Sequence, residues 1–394
     1  MIELPVGMRP AWAEIDLDNL AYNVRTVVEH SKPAGVMAVV KANGYGHGAV
    51  QVAKVALENG VKWLGVGLVE EAQELRRAGI AAPIHIMSMP LPDQAEAVVR
   101  GGFSCAVSDL EVAEALALAA RRYGRVAKVQ VKVDTGMGRL GVLPQDVLPF
   151  VEKLRRLPHL DLIGIYTHFS SADEQDKTYT IAQYETFKRV LRDLHEHGIS
   201  FSWVHAANSA AVLDTPEFGE NLVRPGIILY GLYPSAEVHR DLKLRPVLSL
   251  KARLVFVKRI PAGSYVSYGR SFRAAKAMTI AGVPLGYADG WSRLLSDKAE
   301  VLLAGRRVPI IGRICMDQFM IAVPPDVDAR LGDEVVLIGR QGDEYISAEE
   351  VAAHMGTLNY EIICNIGPRI PRVYIKNGRA IAAEKVVQVS YFDD

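Results

Sequence analysis

The segment "GVMAVVKANGYGHG" (residues 35–48) joins an apolar run directly to a glycine-rich stretch, with Lys41 at the junction. The apolar residues 35–40 are typical of a short buried strand, and the glycines that follow predict a turn. A lysine in this position could form an ion pair, bind a phosphate, or attack a carbonyl group as a nucleophile. The residues around it in the fold must decide between these roles.

Seven further segments of the strand type follow, most of them separated by helix-length polar and apolar patterns. They are WLGV (63–66), PIHIM (83–87), SCAV (104–107), VQVKVD (129–134), IGIYTH (163–168), WVHA (203–206) and NLVR (221–224). Eight strands alternating with helices favour a (β/α)8 TIM-like barrel in the α/β class. A doubly wound open sheet is the alternative, although no G-x-G-x-x-G motif follows the first strand.

The helix signals between these strands are capping residues and glycine stops. The first helix has an apolar face that includes Leu20, Val24 and Val27, and either Asp16 or Asp18 is placed to cap it. The next two helices are expected to stop at Gly60 and Gly79, where glycine ends the helical pattern.

The pattern changes after about residue 245, where short strand-like segments separated by Gly, Pro and Asp turns replace the alternation. The segments are LSLKARLVFVKRI, AMTIAGVPLG, VLLAGRRVPIIG, QFMIAV and GDEVVLIG. We therefore expect two domains, a barrel over residues 1–243 and a mostly-β C-terminal domain over residues 244–394.

Composition narrows the class of protein. The 394 residues include 45 basic and 45 acidic side chains, which argues against nucleic acid or an anionic membrane as the main partner. No apolar stretch reaches membrane-spanning length, and the N-terminal segment "MIELPVGMRPAW" does not resemble a signal peptide. The three cysteines lie far apart without metal-ligand spacing. We expect a cytoplasmic protein without a metal site.

Polar side chains cluster at the predicted strand ends, where a barrel carries its chemistry. The residues are Lys41, Lys132, Asp134, Arg139, His168, His205, Asn208, Ser209 and Arg224. They form a basic ring suited to a phosphorylated or carboxylated small molecule. Ser209, Gly226 and Ile227 fall in the loops after the seventh and eighth strands, which often bind phosphate in barrels.

Each of these residues also has a purely structural interpretation. Lys132 beside Asp134 could be a salt bridge, and Lys41 or Arg224 could only pair with a carboxylate. His205 could be a core histidine, and His168 could cap a strand end. Their joint placement at strand ends favours a functional site.

A lysine that forms an imine must be neutral, so burial or cationic neighbours have to lower its pKa. Lys132, Arg139 and Arg224 would supply such neighbours for Lys41. Together with a phosphate site, this pattern indicates pyridoxal 5'-phosphate (PLP), because that cofactor joins an aldehyde to a phosphate.

The segment "VVKANGYGHG" resembles the PLP-attachment signature of the alanine racemase family. Other segments resemble further motifs of that family, in the same order, and the match spans residues 11–374. They are VKVDTGMGRLG, YTHF, HAANSA, VRPGIILYG, VSYG, GYADG, GRICMDQ and NYEIICNI. The resemblance implies a PLP-binding barrel and a β domain in a head-to-tail homodimer. It implies interconversion of L-alanine and D-alanine, either to supply D-alanine for peptidoglycan or in alanine catabolism.

The resemblance also implies catalytic roles. Lys41 would carry the cofactor and act as acid and base on one face of the substrate Cα. Tyr268 would serve the other face, reaching in from the partner subunit. A tyrosine is a poor base at its ordinary pKa of about 10, and by resemblance His168 and Arg224 form the network that activates it. Arg224 would hydrogen-bond to the pyridine nitrogen, which favours reprotonation at Cα over transamination.

The remaining implied roles concern binding. Arg139 would bind the substrate carboxylate and the phenolic oxygen of PLP, assisted by the backbone N–H of Met316, and Lys132 would be carbamylated to orient that arginine. The other implied contacts are the cofactor residues Tyr45, Asn208, Ser209, Gly226, Ile227 and Tyr360, the entrance residues Tyr287 and Asp317, and His205 behind the cofactor ring.

Two segments depart from the family pattern. Gly44 stands where many members have alanine, and "NIGPRIPR" differs from the usual residues before Arg369. The alternatives are a serine or broad-specificity amino-acid racemase, a non-catalytic PLP-carrier protein, and a basic-amino-acid decarboxylase. The decarboxylases need a carboxylate where this chain has Arg224, and the carriers lack a β domain.

Overall fold

The computed structural model describes residues 8–384, so part of the N-terminal segment considered above lies outside the described residues. The chain forms two compact units. The barrel unit comprises Leu20–Tyr45 and Ala49–Arg245, and the β unit comprises the described residues up to Asn19, Gly46–Gly48 and those from Pro246 onward. The first strand, β1 (Ala11–Asp16), belongs to the β unit.

The barrel unit contains one sheet of eight parallel strands. They are β2 (Gly35–Val39), β3 (Trp63–Val66), β4 (Ile84–Ile86), β5 (Ser104–Val107), β6 (Ala127–Lys132), β7 (Leu160–Tyr166), β8 (Trp203–His205) and β9 (Leu222–Val223). Neighbours in the chain pair from β2 to β8, and β9 pairs back onto β2. Hydrogen bonds from Asn221 N to Val204 O (3.3 Å) and from Arg224 N to Ala207 O (3.0 Å) bring β9 beside β8. The predicted TIM-like barrel is confirmed.

Eight helices precede or follow these strands. They are α1 (Leu17–His30), α2 (Ala49–Glu58), α3 (Val69–Arg77), α4 (Ala95–Gly101), α5 (Leu110–Arg122), α6 (Val147–Leu154), α7 (Thr178–Glu196) and α8 (Ser209–Asp214). Leu20, Val24 and Val27 are fully buried on one face of α1, and Asp16 caps that helix by accepting a hydrogen bond from Asn19 N (2.8 Å). No helix within residues 8–384 is long and apolar enough to cross a membrane.

Strand β2 has every residue from Val36 to Val39 buried, as expected for a parallel strand covered on both faces. The predicted strands ran one or two residues too far at several positions, because the chain leaves the ladder earlier. At β6, for example, Asp134 N bonds to Val142 O (2.9 Å) in the following loop. Asp134, His168 and Arg224 therefore lie just beyond their strands, in the loops.

The β unit contains a large sheet and a separate two-stranded hairpin. Its later strands are β10 (Leu248–Arg253), β11 (Phe256–Ile260), β12 (Tyr265–Val266), β13 (Phe272–Arg273), β14 (Met278–Val283), β15 (Glu300–Leu303), β16 (Arg306–Ile311), β17 (Phe319–Val323), β18 (Glu334–Gln341), β19 (Glu344–Ile346), β20 (Arg372–Lys376) and β21 (Arg379–Glu384). Strand β1 lies within the large sheet, antiparallel to β10 and parallel to β20. Strands β12 and β13 form the hairpin.

Two short helices that were not predicted from the sequence interrupt the strands of the β unit. They are α9 (Ala348–Met355) and α10 (Asn359–Cys364). Ser347 caps α9 by accepting a hydrogen bond from Glu350 N (3.0 Å). The mostly-β character predicted for this part of the chain is confirmed.

Candidate active site

Lys41 lies two residues beyond β2 and opens a tight turn whose next four residues all have φ between 52° and 60°. The left-handed conformation costs an ordinary residue roughly 1–2 kcal/mol, so a run of it needs support from elsewhere. Asn43 supplies part of that support, because its Oδ1 accepts a hydrogen bond from Ala49 N (2.9 Å) at the start of α2. The glycine-rich stretch is therefore a defined turn that fixes the position of Lys41.

Glu71 ties this turn to the loop after the neighbouring strand β3. Its Oε1 accepts a hydrogen bond from Ala42 N (2.6 Å), and its Oε2 accepts one from Gly67 N (2.7 Å) and one from Leu68 N (3.1 Å). Glu71 was not predicted from the sequence as part of the site. An acidic side chain three residues into a helix, reaching back to the N-terminal N–H groups, is the signal that could have identified it.

A cluster of hydroxyl and backbone N–H groups lies at the loops after β8 and β9. Gly226 N donates to Ser209 Oγ (2.8 Å), and a Cβ atom on Gly226 would lie only 2.4 Å from Tyr45 Oη. Asn208 caps α8 by accepting a hydrogen bond from Ala211 N (3.0 Å). The space that glycine leaves open lets the tyrosine hydroxyl approach the backbone. We call Tyr45, Ser209, Gly226 and the buried Ile227 the phosphate cradle, because such groups suit an anion.

Arg224 is 4% exposed and makes four polar contacts. Its Nη2 donates to Thr167 O and Ala206 O (both 2.8 Å) and lies 3.2 Å from His168 Nδ1, while its Nη1 lies 2.6 Å from His205 Nδ1. Burial lowers the pKa of Arg224 to about 10, so the guanidinium stays charged at neutral pH. Because arginine can only donate, both histidines must accept through Nδ1.

The two histidines are held neutral by their surroundings. Burial lowers the pKa of His168 well below 6.5, and the charges of Lys132 and Arg224 lower it further. Burial, followed by the charge of Arg224, likewise lowers the pKa of His205 well below its ordinary value. A neutral imidazole has one unprotonated nitrogen that can accept a hydrogen bond from the arginine. The lowered pKa values of the two histidines therefore agree with their hydrogen bonds to Arg224.

Lys132, at the end of β6, is 7% exposed. Its Nζ lies 4.6 Å from the centre of the Tyr166 ring. Burial lowers the pKa of Lys132 well below 10.5, the charges of Arg224 and Arg139 lower it further, and Asp134 opposes the shift. No ion pair within 4.0 Å joins Lys132 to Asp134 in the described part of the chain, and Asp134 Oδ1 instead accepts from Gly136 N and Gly138 N.

The charges of the barrel unit converge on His168. Lys132, Arg224, Arg139 and Lys41 all lower its pKa, in that order of size after burial. Arg139 itself is exposed, in the loop after β6. The structure thus places four of the basic residues expected from the sequence where their charges act on one histidine. Within residues 8–384, no group of three or more His, Cys, Asp or Glu side chains is placed to hold a metal ion.

The other expected residues lie in the β unit, most of them in or beside the loop between β16 and β17. Tyr268 is 70% exposed and follows Ser267, whose hydroxyl donates to Arg313 O. Tyr287 N donates to Cys315 O (3.1 Å). Met316 comes next in the same loop, and its side chain is exposed.

Two further residues of the β unit complete this set. Asp317 Oδ1 accepts a hydrogen bond from Arg369 Nη2 (2.6 Å), so the arginine at the divergent segment contacts the expected entrance residue. Tyr360 lies in α10.

One buried contact in the barrel unit was not expected. His205 Nε2 lies 2.6 Å from Gln130 Oε1, and both residues are fully buried. Gln130 stands two positions before Lys132 in β6, and alternate residues of a strand face the same side. Two polar residues at alternate positions of a buried strand are the signal that could have identified Gln130.

Two family descriptions match the chain. "Alanine racemase, N-terminal domain" matches residues 15–234, and "Alanine racemase, C-terminal domain" matches residues 247–374. The chain is 45% identical over 383 residues to the alanine racemase of Clostridium tetani, covering 96% of this chain and 99% of that one. It is 48% identical over 368 residues to the alanine racemase of Symbiobacterium thermophilum, covering 93% and 98%.

Solved structures give the same result. The alanine racemase of Clostridium difficile 630 superimposes with a TM-score of 0.93 at 38% identity, covering 98% of this chain and 100% of that one. The alanine racemase of Bacillus anthracis with bound L-Ala-P gives 0.91 at 42% identity, covering 97% and 99%. The alanine racemase of Bartonella henselae with covalently bound pyridoxal phosphate gives 0.84 at 29% identity, covering 93% and 99%.

Proposed function

This chain belongs to the alanine racemase family, and from that premise we propose that Lys41 and Tyr268 are the two acid–base groups of its reaction, with PLP as cofactor. The chain is an isomerase that interconverts L-alanine and D-alanine. The observation that carries the residue assignment is the grouping of the phosphate cradle, the charged Arg224 and the Lys41 turn in one barrel unit.

The residues of the barrel unit fit PLP in three respects. The phosphate cradle offers hydroxyl and backbone N–H groups, and a side chain on Gly226 would obstruct it. Lys41 provides an amine for the aldehyde, and Arg224 provides a donor for the ring nitrogen. When bound, PLP supplies an electron sink that makes the Cα–H bond of alanine acidic. The Bartonella henselae relative carries this cofactor covalently bound, which supports the proposal.

Lys41 and Tyr268 move the proton at the substrate Cα. Lys41 Nζ removes or returns it on one face, and Tyr268 Oη does so on the other. Racemisation needs acid–base groups on opposite faces, because a single group returns the proton to the face from which it came.

We propose that a second copy of the chain completes each site. Tyr268 is 70% exposed in the single chain, whereas proton transfer is efficient in a site that excludes bulk water. Tyr265, Tyr287 and Met316, from the same region of the β unit, are also exposed. Exposed apolar groups of this kind mark a protein interface, so we infer a homodimer in which Tyr268 reaches the partner's barrel.

Arg224 sets the protonation of the cofactor ring. An arginine with a pKa of about 10 keeps its proton at pH 7 and donates only a hydrogen bond to the pyridine nitrogen. With Arg224 as the only donor, the ring nitrogen would stay unprotonated, and less negative charge would move from Cα into the ring. Reprotonation at Cα is thereby favoured over transamination.

The remaining roles concern the substrate. Arg139 binds its carboxylate together with the backbone N–H of Met316, while Tyr287 and Asp317 narrow the entrance. Lys132 is carbamylated, since only a neutral amine adds carbon dioxide and the pKa of Lys132 is well below its ordinary value. The carbamate then orients Arg139.

The alternatives considered from the sequence are not favoured. The curated relatives of this chain carry the name alanine racemase, and they match both the barrel and the C-terminal β domain that a carrier lacks. We propose a cytoplasmic enzyme that either supplies D-alanine for peptidoglycan or consumes L-alanine.

The test is isotope exchange. Purified protein with PLP and L-alanine in heavy water should lose optical rotation as one deuterium is gained at Cα, faster than with L-serine or L-lysine. If alanine keeps its configuration while the protein binds PLP, the proposal fails.

A further inference from the structure

A hydrogen-bonded chain runs into the interior of the barrel unit behind Arg224. Arg224 Nη1 contacts His205 Nδ1 over 2.6 Å, and His205 Nε2 contacts Gln130 Oε1 over 2.6 Å. We propose that Gln130 is a positioning residue that fixes His205 as the Nε2–H tautomer, so that Nδ1 is always available to accept from Arg224. The consequence for the cofactor rests on the proposed role of Arg224, but the tautomer itself does not.

The tautomer follows from counting protons. Arg224 has only donors, so His205 Nδ1 must carry a lone pair. A neutral imidazole then carries its single proton on Nε2, which faces an oxygen of Gln130. Burial and the charge of Arg224 lower the pKa of His205 well below its ordinary value, so a second proton is disfavoured. The ring is fully buried, so bulk water does not compete for hydrogen bonds with either nitrogen.

The orientation of the Gln130 amide is equally constrained. A reversed amide would place its NH2 group against the Nε2–H of His205, with two donors facing each other. In the observed orientation Gln130 Nε2 has no hydrogen-bond partner among residues 8–384, although the residue is fully buried. An unsatisfied buried donor costs about 1–3 kcal/mol. The contact with His205 is therefore what decides which end of the amide faces the ring.

Neighbouring residues hold the amide and the ring in place. A Cβ atom on Gly164 would lie 2.7 Å from Gln130 Oε1 and 2.9 Å from Trp203 O, so only glycine leaves room for this amide. Tyr166 stacks on His205 with ring centres 4.7 Å apart and planes at 12°. The other titratable groups that act on His205 are His85 and Lys132, and both lower its pKa.

Replacing the amide by a carboxylate should keep the Nε2–H contact of His205 and favour a second proton on Nδ1. In Gln130→Glu, a negative charge beside Nε2 would stabilise the doubly protonated ring. Its Nδ1–H would then face the guanidinium, so that two donors and two positive charges oppose each other. Arg224 would lose its contact with His205. The predicted signature is a change of protonation at His205, which a purely structural role for Gln130 would not produce.

The experiment is nitrogen NMR of the full-length holoenzyme labelled with ¹⁵N-histidine at pH 7. The chain has 10 histidines, so the His205 signals are assigned by difference from a His205→Asn variant. The wild type should show one unprotonated Nδ1 and one protonated Nε2. Gln130→Glu should show both nitrogens protonated. Gln183→Glu, at another buried glutamine of the barrel unit, is the matched control and should leave the His205 pattern unchanged.

Two results would overturn the inference. One is a wild-type spectrum with the proton on Nδ1, which needs no variant to fold. The other is a folded Gln130→Glu protein in which His205 carries its single proton on Nδ1, whereas a single proton kept on Nε2 would support the tautomer, since a carboxylate accepts from Nε2–H as the amide oxygen does. The amount of pyruvate formed from alanine separates this inference from the proposed function. A changed protonation state without more pyruvate supports the tautomer and rejects the proposed role of Arg224.

Discussion

The guanidinium of Arg224 donates a hydrogen bond through Nη1 to His205 Nδ1 over 2.6 Å. Among residues 8–384, no carboxylate lies within ion-pairing distance of this guanidinium. A buried charge without a counter-ion is costly unless its donors are satisfied. Here two backbone carbonyls and two neutral imidazoles accept from it. The positive charge is thus retained inside the barrel unit and not neutralised, which suits the proposed role of Arg224 as a donor to the ring nitrogen of PLP.

Replacing Arg224 should change the fate of the reaction. In Arg224→Glu, a carboxylate would keep the pyridine nitrogen protonated, and pyruvate formed by half-transamination should rise relative to racemisation. Arg224→Lys keeps a cation and should not raise pyruvate. Pyruvate per racemisation event is measured by coupling to lactate dehydrogenase. An unchanged ratio in the glutamate variant would reject the role of Arg224.

Lys41→Ala should abolish racemisation, because it removes both the attachment point and one acid–base group. The absorbance of the lysine-bound cofactor should disappear with it. Lys54→Ala, at an exposed position of α2, should behave as the wild type. Residual racemisation by Lys41→Ala at the wild-type rate would contradict the proposal.

Tyr268→Phe should lower racemisation in both directions by roughly 10²–10⁴-fold, the usual contribution of a general acid or base. Because Lys41 remains on its own face, exchange of the Cα hydrogen with heavy water should persist for one enantiomer of alanine more than for the other. NMR of each pure enantiomer measures this asymmetry. Tyr265→Phe, at another exposed tyrosine of the same region, is the control. Equal losses of exchange for both enantiomers would argue against Tyr268.

Gly226→Ala should weaken the binding of PLP by at least about tenfold, equivalent to ~1.4 kcal/mol. The added methyl group would meet Tyr45 Oη at 2.4 Å and displace it from the phosphate cradle. In Gly35→Ala the nearest atom, Leu222 Cδ1, would be at an ordinary 3.4 Å, and affinity should be unchanged. Titration of the cofactor-free variants with PLP measures both. Equal affinities would show that the phosphate lies elsewhere.

Acid should destabilise the fold through the buried histidines. Burial lowers the pKa of His85 to about 3, whereas an unfolded histidine titrates near 6.5. Between these values the unfolded chain binds more protons, so the free energy of unfolding falls as the pH falls, by about 1.4 kcal/mol per pH unit for this residue.

Urea unfolding of His85→Gln at pH 7.5, 6.0 and 5.0 tests this effect. Below pH 6.5, the free energy of unfolding of His85→Gln should depend less steeply on pH than that of the wild type. The variant His195→Gln, at an exposed position, should match the wild type. Identical slopes for all three proteins would mean that His85 is protonated in the folded state.

Much of the barrel could be predicted from local patterns. The apolar run before Lys41 and the glycines after it define β2 and its turn, and Gly60 and Gly79 each lie two residues beyond the end of a helix. The exact ends of the strands before Asp134 and His168 were not predicted, because a strand ends where the neighbouring strand no longer offers hydrogen-bond partners. The pairing of β1 with β10 and β20 was missed for the same reason, since it joins segments more than 200 residues apart.

Residue types, spacing and periodicity were enough to indicate a barrel with a β-rich second part. They also predicted a reactive lysine at a strand end and a phosphate site near Ser209 and Gly226, and these two stay predictions. These features follow from local rules of strand, helix and turn formation. Only the tertiary structure decided that Glu71 holds the Lys41 turn and that Gln130 faces His205. Such contacts depend on which strands become neighbours, because a hydrogen bond requires two distant side chains to meet within about 3 Å.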